Sequence, residues 1–252
     1  LGMTEEHWDK DIILWPETAI PIPQDQAGKI IDHIEERLGE NSTLISGIPW
    51  YGYSGEIEDY TFHNSILAAG GGEGIYHKQK LVPFGEYVPL QGLLRGLIGF
   101  FDLPMSSFTP GPGQQSGLSA TDTRLMPYIC YEVAYPDFVA FNARNTGMLV
   151  TISNDGWFGD SIGPLQHLQL ARMRALETGR YMLRGTNNGV TAIINEKGQI
   201  TERIPQFQRA VLTVEVFSAT GSTPYMQSGS WPVLTLAVIL IVFVRERVIP
   251  KN

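Results

Sequence analysis

The sequence predicts one α/β domain in which helices and strands form separate layers. Apolar segments with strand character alternate along the chain with segments of helical periodicity, which is the pattern of a layered α/β domain. The chain has 252 residues, of which 43% are hydrophobic and 17% are charged, and this suits a single large core. A hairpin signal, Glu-Lys-Gly at residues 196–198, lies between two of the apolar segments.

In the first half of the chain, residues 11–15 predict a short buried strand that ends before a proline. A helix is predicted at residues 24–38, because four apolar residues recur there on one helical face and Gly39 can end the helix. Further strands are predicted at residues 43–48, 65–69 and 123–129.

In the second half, a short helix is predicted at residues 136–145, with a proline at its first position. The longest helix is predicted at residues 164–183, where small residues four apart indicate close packing. Strands are predicted at residues 148–153, 190–195, 199–204 and 210–216.

Residues 231–244 form an apolar run without a charge, which Trp231 opens and basic residues follow. A helix of this length spans about 21 Å, against roughly 30 Å of membrane hydrocarbon, so a buried element and a membrane span are both open. The terminal tryptophan and the basic flank favour a transmembrane helix. This divides the chain into a globular domain at residues 1–228 and a transmembrane segment with a basic tail at residues 229–252.

Charge and composition narrow the possible partners. A net charge of -8 and a pI of about 5.1 disfavour nucleic acid, which needs a basic face. The single cysteine excludes a disulfide within the chain and a cysteine-built metal cluster. Five scattered histidines, including His167 on the longest predicted helix, lack the paired spacing of metal ligands. No metal and no cofactor are therefore expected.

Three segments carry candidate chemistry. Glu17 lies in LWPETAIP, directly after the first strand; Lys78 and Glu86 lie in YHKQKLVPFGEYVP; Cys130 ends a strand in YICYE. Taken singly, each has an ordinary structural explanation: a solvent-facing glutamate, solvated lysines and a small buried thiol. None of the three segments is specific by itself.

A cysteine on a sharp turn from strand to helix is accessible, and the next backbone N–H can face a developing oxyanion. The thiol of Cys130 needs a base or a nearby cation to react at neutral pH. Glu17 is the candidate base, and Lys78 is the candidate cation for both thiolate and oxyanion. The sequence thus predicts nucleophilic acyl chemistry.

In this order, the three residues resemble the Glu-Lys-Cys triad of the nitrilase superfamily, and the motif ISNDGWFG at residues 152–159 extends the resemblance. It implies an αββα sandwich. Within the superfamily the chain is most similar to the apolipoprotein N-acyltransferases, through LVPFGEYVPL, LPMSSFTPG, RGTNNGVTA and TPYMQSGSWP. That family has a multi-span membrane region before the domain, so an N-terminally truncated catalytic part is expected.

The resemblance implies transfer of a fatty acyl chain from a phospholipid to the amino group of diacylglyceryl-cysteine in an apolipoprotein, through a Cys130 thioester. It implies a monomer in the bacterial inner membrane, with the catalytic domain on the periplasmic side. Glu17 would act as base and acid, and Lys78 with the N–H of Tyr131 would bind the oxyanion. Supporting positions are Glu86, which would hold Lys78, and Asn64, Glu132 and Trp157.

Other interpretations stay open at this point. The same triad serves amidases and carbamoylases that pass the acyl group to water, and a non-catalytic membrane scaffold is a third class. The supporting glutamates and Asn64 could be structural, and Trp157 could line an acyl pocket or pack in the core.

A last hypothesis concerns residues 90–101, LQGLLRGLIGFF, whose apolar residues form one helical stripe. Three glycines weaken such a helix, which suggests a mobile arm that covers the site and touches lipid. Packing on the domain's own core is the alternative.

Overall fold

The computed structural model describes residues 1–54, 59–89 and 108–248; the predicted arm at residues 90–101 lies outside them. Within the described residues, ten strands form two sheets. The first sheet contains β1 (Ile12–Leu14), β2 (Thr43–Ser54), β3 (Asp59–Gly70) and β4 (Ile75–His77). The second contains β5 (Leu118–Ala120), β6 (Thr123–Ile129), β7 (Met148–Ser153), β8 (Met182–Thr186), β9 (Thr191–Ile194) and β10 (Ile200–Ile204).

The strand order is β1-β2-β3-β4 in the first sheet and β10-β9-β8-β7-β6-β5 in the second. The central strands β6, β7 and β8 are parallel, so their carboxyl ends meet at one edge. The described helices are α1 (Gly28–Glu35), α2 (Pro136–Asn142), α3 (Gly163–Thr178), α4 (Pro224–Ser228) and α5 (Trp231–Val248).

The two sheets pack face to face, with helices on both outer sides. Ile45, Ile66 and Tyr76 of the first sheet share one buried cluster with the strands of the second sheet and with side chains of α2 and α3. Ile34 of α1 belongs to a separate cluster on the first sheet, with Leu44 among its neighbours. The expected αββα sandwich is confirmed, and every residue of β7 is buried, as a strand covered on both faces must be.

The strands predicted at residues 123–129 and 148–153 are confirmed as β6 and β7. The helix predicted at residues 164–183 is too long, because α3 stops where Gly179 adopts a left-handed conformation at φ 62° and the chain then turns into β8. The strand predicted at residues 210–216 is wrong: within the described chain this segment pairs with neither sheet, and Val211 and Val214 are exposed. A segment with high strand propensity forms no strand when no neighbouring strand is available for hydrogen bonding.

The helix predicted at the C-terminus is present as α5. Its transmembrane character is not confirmed, since no helix in the described ranges has the length and apolar composition that a bilayer crossing requires. The reason lies in its sequence, where the apolar run ends at Val244 and Arg245 follows. Those 14 residues cover about 21 Å of helix.

Candidate active site

Glu17 lies in the loop after β1 and is held between the two sheets. Its Oε1 accepts a hydrogen bond of 2.7 Å from Nδ2 of Asn64, on β3. Its Oε2 accepts one of 2.6 Å from the backbone N–H of Asn154, just after β7. Gly47 on β2 allows the loop that carries Glu17 to pack closely against the sheet, because a Cβ at position 47 would overlap the backbone of that loop. The carboxylate is buried and fixed from both sides, as a positioned base would need.

Lys78 follows β4 and is buried, with 1% of its surface exposed. Its Nζ donates to Oε1 of Glu86 at 2.7 Å, and Asn64 approaches the same oxygen at 3.4 Å. Burial lowers the pKa of Lys78, but Glu17, the Cys130 sulfur in its ionised form and Glu86 together outweigh this effect and leave the pKa raised. Lys78 is therefore a buried ammonium group, and Glu86 orients it.

Cys130 directly follows β6 and opens a 3₁₀ turn, Cys130–Ala134. Its φ of 51° lies in the left-handed region, which a non-glycine residue rarely adopts. The thiol is half-buried. Burial, and then the charge of Glu17, raise its pKa to about 11, while Lys78 acts in the opposite direction. At neutral pH the thiol is protonated, so an attack by Sγ requires a base.

Glu132 connects the turn at Cys130 to the loop that follows Lys78 through hydrogen bonds. It is fully buried, and its Oε2 accepts from the backbone N–H of Ile129 at 2.7 Å. Its Oε1 accepts from Tyr76 Oη at 2.9 Å and from the N–H groups of Gln79 at 2.7 Å and Lys80 at 3.1 Å. Burial raises the pKa of Glu132 to about 7, although the three N–H donors lower it. Glu132 thus hydrogen-bonds both to the end of β6 before Cys130 and to the loop after Lys78, and its supporting role stays a prediction.

A sequence profile described as carbon-nitrogen hydrolase matches residues 4–225. This chain belongs to the carbon-nitrogen hydrolase family. Two solved structures share its fold. The NitFhit protein of C. elegans has a TM-score of 0.60 at 16% identity, covering 93% of this chain and 59% of that one. A carbon-nitrogen hydrolase of Helicobacter pylori has a TM-score of 0.58 at 12% identity, with coverages of 93% and 85%.

Closer relatives share much more of the sequence. An apolipoprotein N-acyltransferase of Azotobacter vinelandii is 54% identical over 92% of this chain and 45% of its own length. One from Pseudomonas aeruginosa is 53% identical over 93% of this chain and 46% of its own length. This carbon-nitrogen hydrolase domain therefore spans less than half the length of the relatives it matches.

Two predicted positions remain, Tyr131 and Trp157. Tyr131 follows Cys130 and meets the Tyr135 ring edge-on, with ring centroids 5.2 Å apart. Trp157 is 76% exposed, which excludes the alternative that it packs in the core. Its use in an acyl pocket stays a prediction.

The sequence analysis missed a polar network behind Cys130. His167 on α3 places Nε2 2.9 Å from the Cys130 carbonyl oxygen, and its Nδ1 lies 3.0 Å from Oδ1 of Asp155. Asp155 also binds the buried Arg184 of β8 at 2.7 Å. The available signal was an acidic residue, Asp155, two positions after the strand predicted at residues 148–153. The sequence analysis considered His167 as a metal ligand; within the described residues, no group of three acidic, histidine or cysteine side chains is placed to hold a metal.

The pKa shift of Cys130 predicts how its thiol reacts with iodoacetamide. The rate should rise about tenfold per pH unit from pH 7 to 10, because the thiolate fraction grows until the pKa near 11 is reached. Glu17→Gln removes a charge that raises the Cys130 pKa, so the pH profile of alkylation should shift to lower pH. Lys78→Met removes a charge that lowers this pKa, so the profile should shift to higher pH. Intact mass is the readout, since the chain has one cysteine. Shifts of the opposite sign would contradict the electrostatic assignment.

Proposed function

We propose that this chain is the catalytic part of an apolipoprotein N-acyltransferase. The observation that carries the proposal is the hydrogen-bonded cluster of Glu17, Asn64, Glu86 and Lys78 facing a single cysteine, in a chain 54% identical to an enzyme of that name. The proposed active unit is a monomer, in which this chain supplies Glu17, Lys78 and Cys130.

In the first half-reaction, Glu17 takes the proton of the Cys130 thiol as Sγ attacks the sn-1 ester carbonyl of a phospholipid. Lys78 and the backbone N–H of Tyr131 stabilise the oxyanion. When the carbon–oxygen ester bond breaks, Glu17 returns the proton to the leaving glycerol oxygen. The products are a lysophospholipid and a thioester on Cys130.

In the second half-reaction, the amino group of diacylglyceryl-cysteine attacks the thioester. Glu17 accepts a proton from the amine and passes it to the departing sulfur, so the amide forms and the free thiol returns. A soluble amidase would use water at this step. The exposed apolar side chains of α5, among them Trp231 and Ile241, favour a lipid substrate over a small amide.

The test is a two-substrate assay with phospholipid vesicles and a peptide that begins with diacylglyceryl-cysteine. We expect N-acylated peptide and lysophospholipid in equal amounts, measured by mass spectrometry. The matched control is the same peptide with an acetylated amino group, which should accept nothing. Free fatty acid released without N-acylated peptide would instead indicate the hydrolase.

We also propose that α5 inserts its apolar run into the bacterial inner membrane, with the catalytic domain on the periplasmic side. Arg245, Arg247 and Lys251 follow the run and would stay cytoplasmic. Alkaline phosphatase fused after Asn252 should therefore be inactive, because it needs the periplasm, and a fluorescent protein fused there should be bright. A strongly active phosphatase fusion would contradict this orientation.

A further inference from the structure

His167 contacts the reactive turn at its backbone, through the carbonyl oxygen of Cys130. It is buried on α3, and its Nε2 lies 2.9 Å from the carbonyl oxygen of Cys130. A carbonyl oxygen can only accept, so Nε2 must carry a hydrogen. The role of the second ring nitrogen depends on Asp155.

Asp155 fixes the position of the ring. Its Oδ1 lies 3.0 Å from His167 Nδ1 and accepts from Ser153 Oγ at 2.6 Å, and its Oδ2 accepts from Arg184 Nη2 at 2.7 Å. Burial raises the pKa of Asp155, but the hydrogen bond with His167 and the charge of Arg184 leave it lowered. Arg184 Nη2 also lies 3.3 Å from His167 Nδ1, so the ring is held between Asp155 and Arg184.

The bond to the Cys130 carbonyl has a consequence on the other side of the same peptide group. A trans peptide is planar, and its C=O and N–H point in opposite directions. The N–H opposite the Cys130 carbonyl is that of Tyr131, the proposed oxyanion donor. The hydrogen bond from His167 to the Cys130 carbonyl therefore orients the Tyr131 N–H away from α3. The same hydrogen bond polarises the peptide group, which makes the Tyr131 N–H a stronger donor.

We propose that His167 is a positioning residue that orients and polarises the Cys130–Tyr131 peptide, so that the Tyr131 N–H meets the oxyanion. Asp155, Ser153 and Arg184 hold the imidazole in place. The assignment rests on the proposed function in one respect, the use of Cys130 as an acyl acceptor. It adds a residue that touches neither substrate nor thiol.

The experiment compares His167→Gln with His167→Asn. The glutamine amide nitrogen is as many bonds from Cβ as Nε2 and can still donate to the Cys130 carbonyl, whereas the asparagine nitrogen replaces only Nδ1. The reaction is acylation of Cys130 by p-nitrophenyl butyrate: Sγ adds to the ester carbonyl, the thiol proton passes to Glu17, and p-nitrophenolate leaves. This reaction forms an oxyanion but needs neither phospholipid nor lipoprotein, so its outcome is separate from that of the two-substrate assay.

We expect the acylation rate constant to fall about 10²-fold in His167→Asn, the scale of losing one oxyanion donor, and by less than about fivefold in His167→Gln. The ester's apparent KM and the melting temperature should stay close to wild type in both. Alkylation by iodoacetamide, which forms no oxyanion, should change by less than about threefold. Equal losses in the two variants, or a parallel fall in alkylation, would overturn the proposal.

A measurement without any substitution covers the case in which a variant does not fold. In ¹⁵N-histidine-labelled wild-type protein, one of the five histidines should show a proton on Nε2 that exchanges slowly with water, because it is buried and hydrogen-bonded. Through-bond correlation of the ring to the assigned backbone of His167 identifies the signal. A His167 ring with no proton on Nε2 could not donate to the Cys130 carbonyl, and that result would also overturn the proposal.

Discussion

Cys130→Ala should carry no fatty-acyl adduct after incubation with phospholipid, and N-acylation of the acceptor peptide should fall by at least about 10³-fold. The chain has no second cysteine that could take over. Alanine keeps the Cβ, so the energy of the left-handed backbone at φ 51° is unchanged and the turn should persist. The thioester is measured by intact mass, with hydroxylamine release as its chemical signature.

The matched control is Cys130→Ser, which replaces the thiol by a hydroxyl group of similar size at the same position. Serine should retain the wild-type fold and phospholipid binding, yet it should turn over very slowly, because its hydroxyl is far less acidic than a thiol. An adduct that persists on Cys130→Ala would show that the acyl group is carried elsewhere and would end the proposed mechanism.

Lys78→Met and Glu17→Gln should each lower kcat by about 10²-fold or more. Methionine fills much of the volume of Lys78 but carries no charge for the oxyanion. Glutamine keeps the shape of Glu17 but cannot accept the thiol proton. Cys130 needs such a base, because with a pKa of about 11 its thiol is protonated at neutral pH. Steady-state acylation of the acceptor peptide measures both effects.

In Lys78→Met, a loss of activity caused by lower stability has to be distinguished from a loss of catalysis. Lys78→Met alone leaves the carboxylate of Glu86 without its 2.7 Å partner, which destabilises a mostly buried site. The double variant Lys78→Met/Glu86→Gln removes both charges, so its melting temperature should recover while activity stays low. If activity returned together with stability, Lys78 would have only a structural role.

The strands show which secondary structure can be predicted from local sequence. Residues 123–129 and 148–153 form β6 and β7 as predicted, because a short, mostly apolar segment bounded by turns predicts a buried strand. β8 was missed, since the helix predicted at residues 164–183 took in its first two residues, Met182 and Leu183. It becomes a strand through pairing with β7, in the register Leu149↔Met182. Such pairing joins segments far apart in sequence and leaves no local signal.

The sequence by itself determined the layered fold class, the three segments that hold Glu17, Lys78 and Cys130, and the resemblance to the nitrilase superfamily. Composition, strand ends and motif order are local properties, so they can be read along the chain. Tertiary structure alone decided which polar atoms meet. Asn154, 137 positions after Glu17, donates to its carboxylate, and His167, 37 positions after Cys130, reaches its carbonyl. Only the packing of the two sheets and α3 brings these groups together, because a hydrogen bond depends on distance in space and not on separation along the chain.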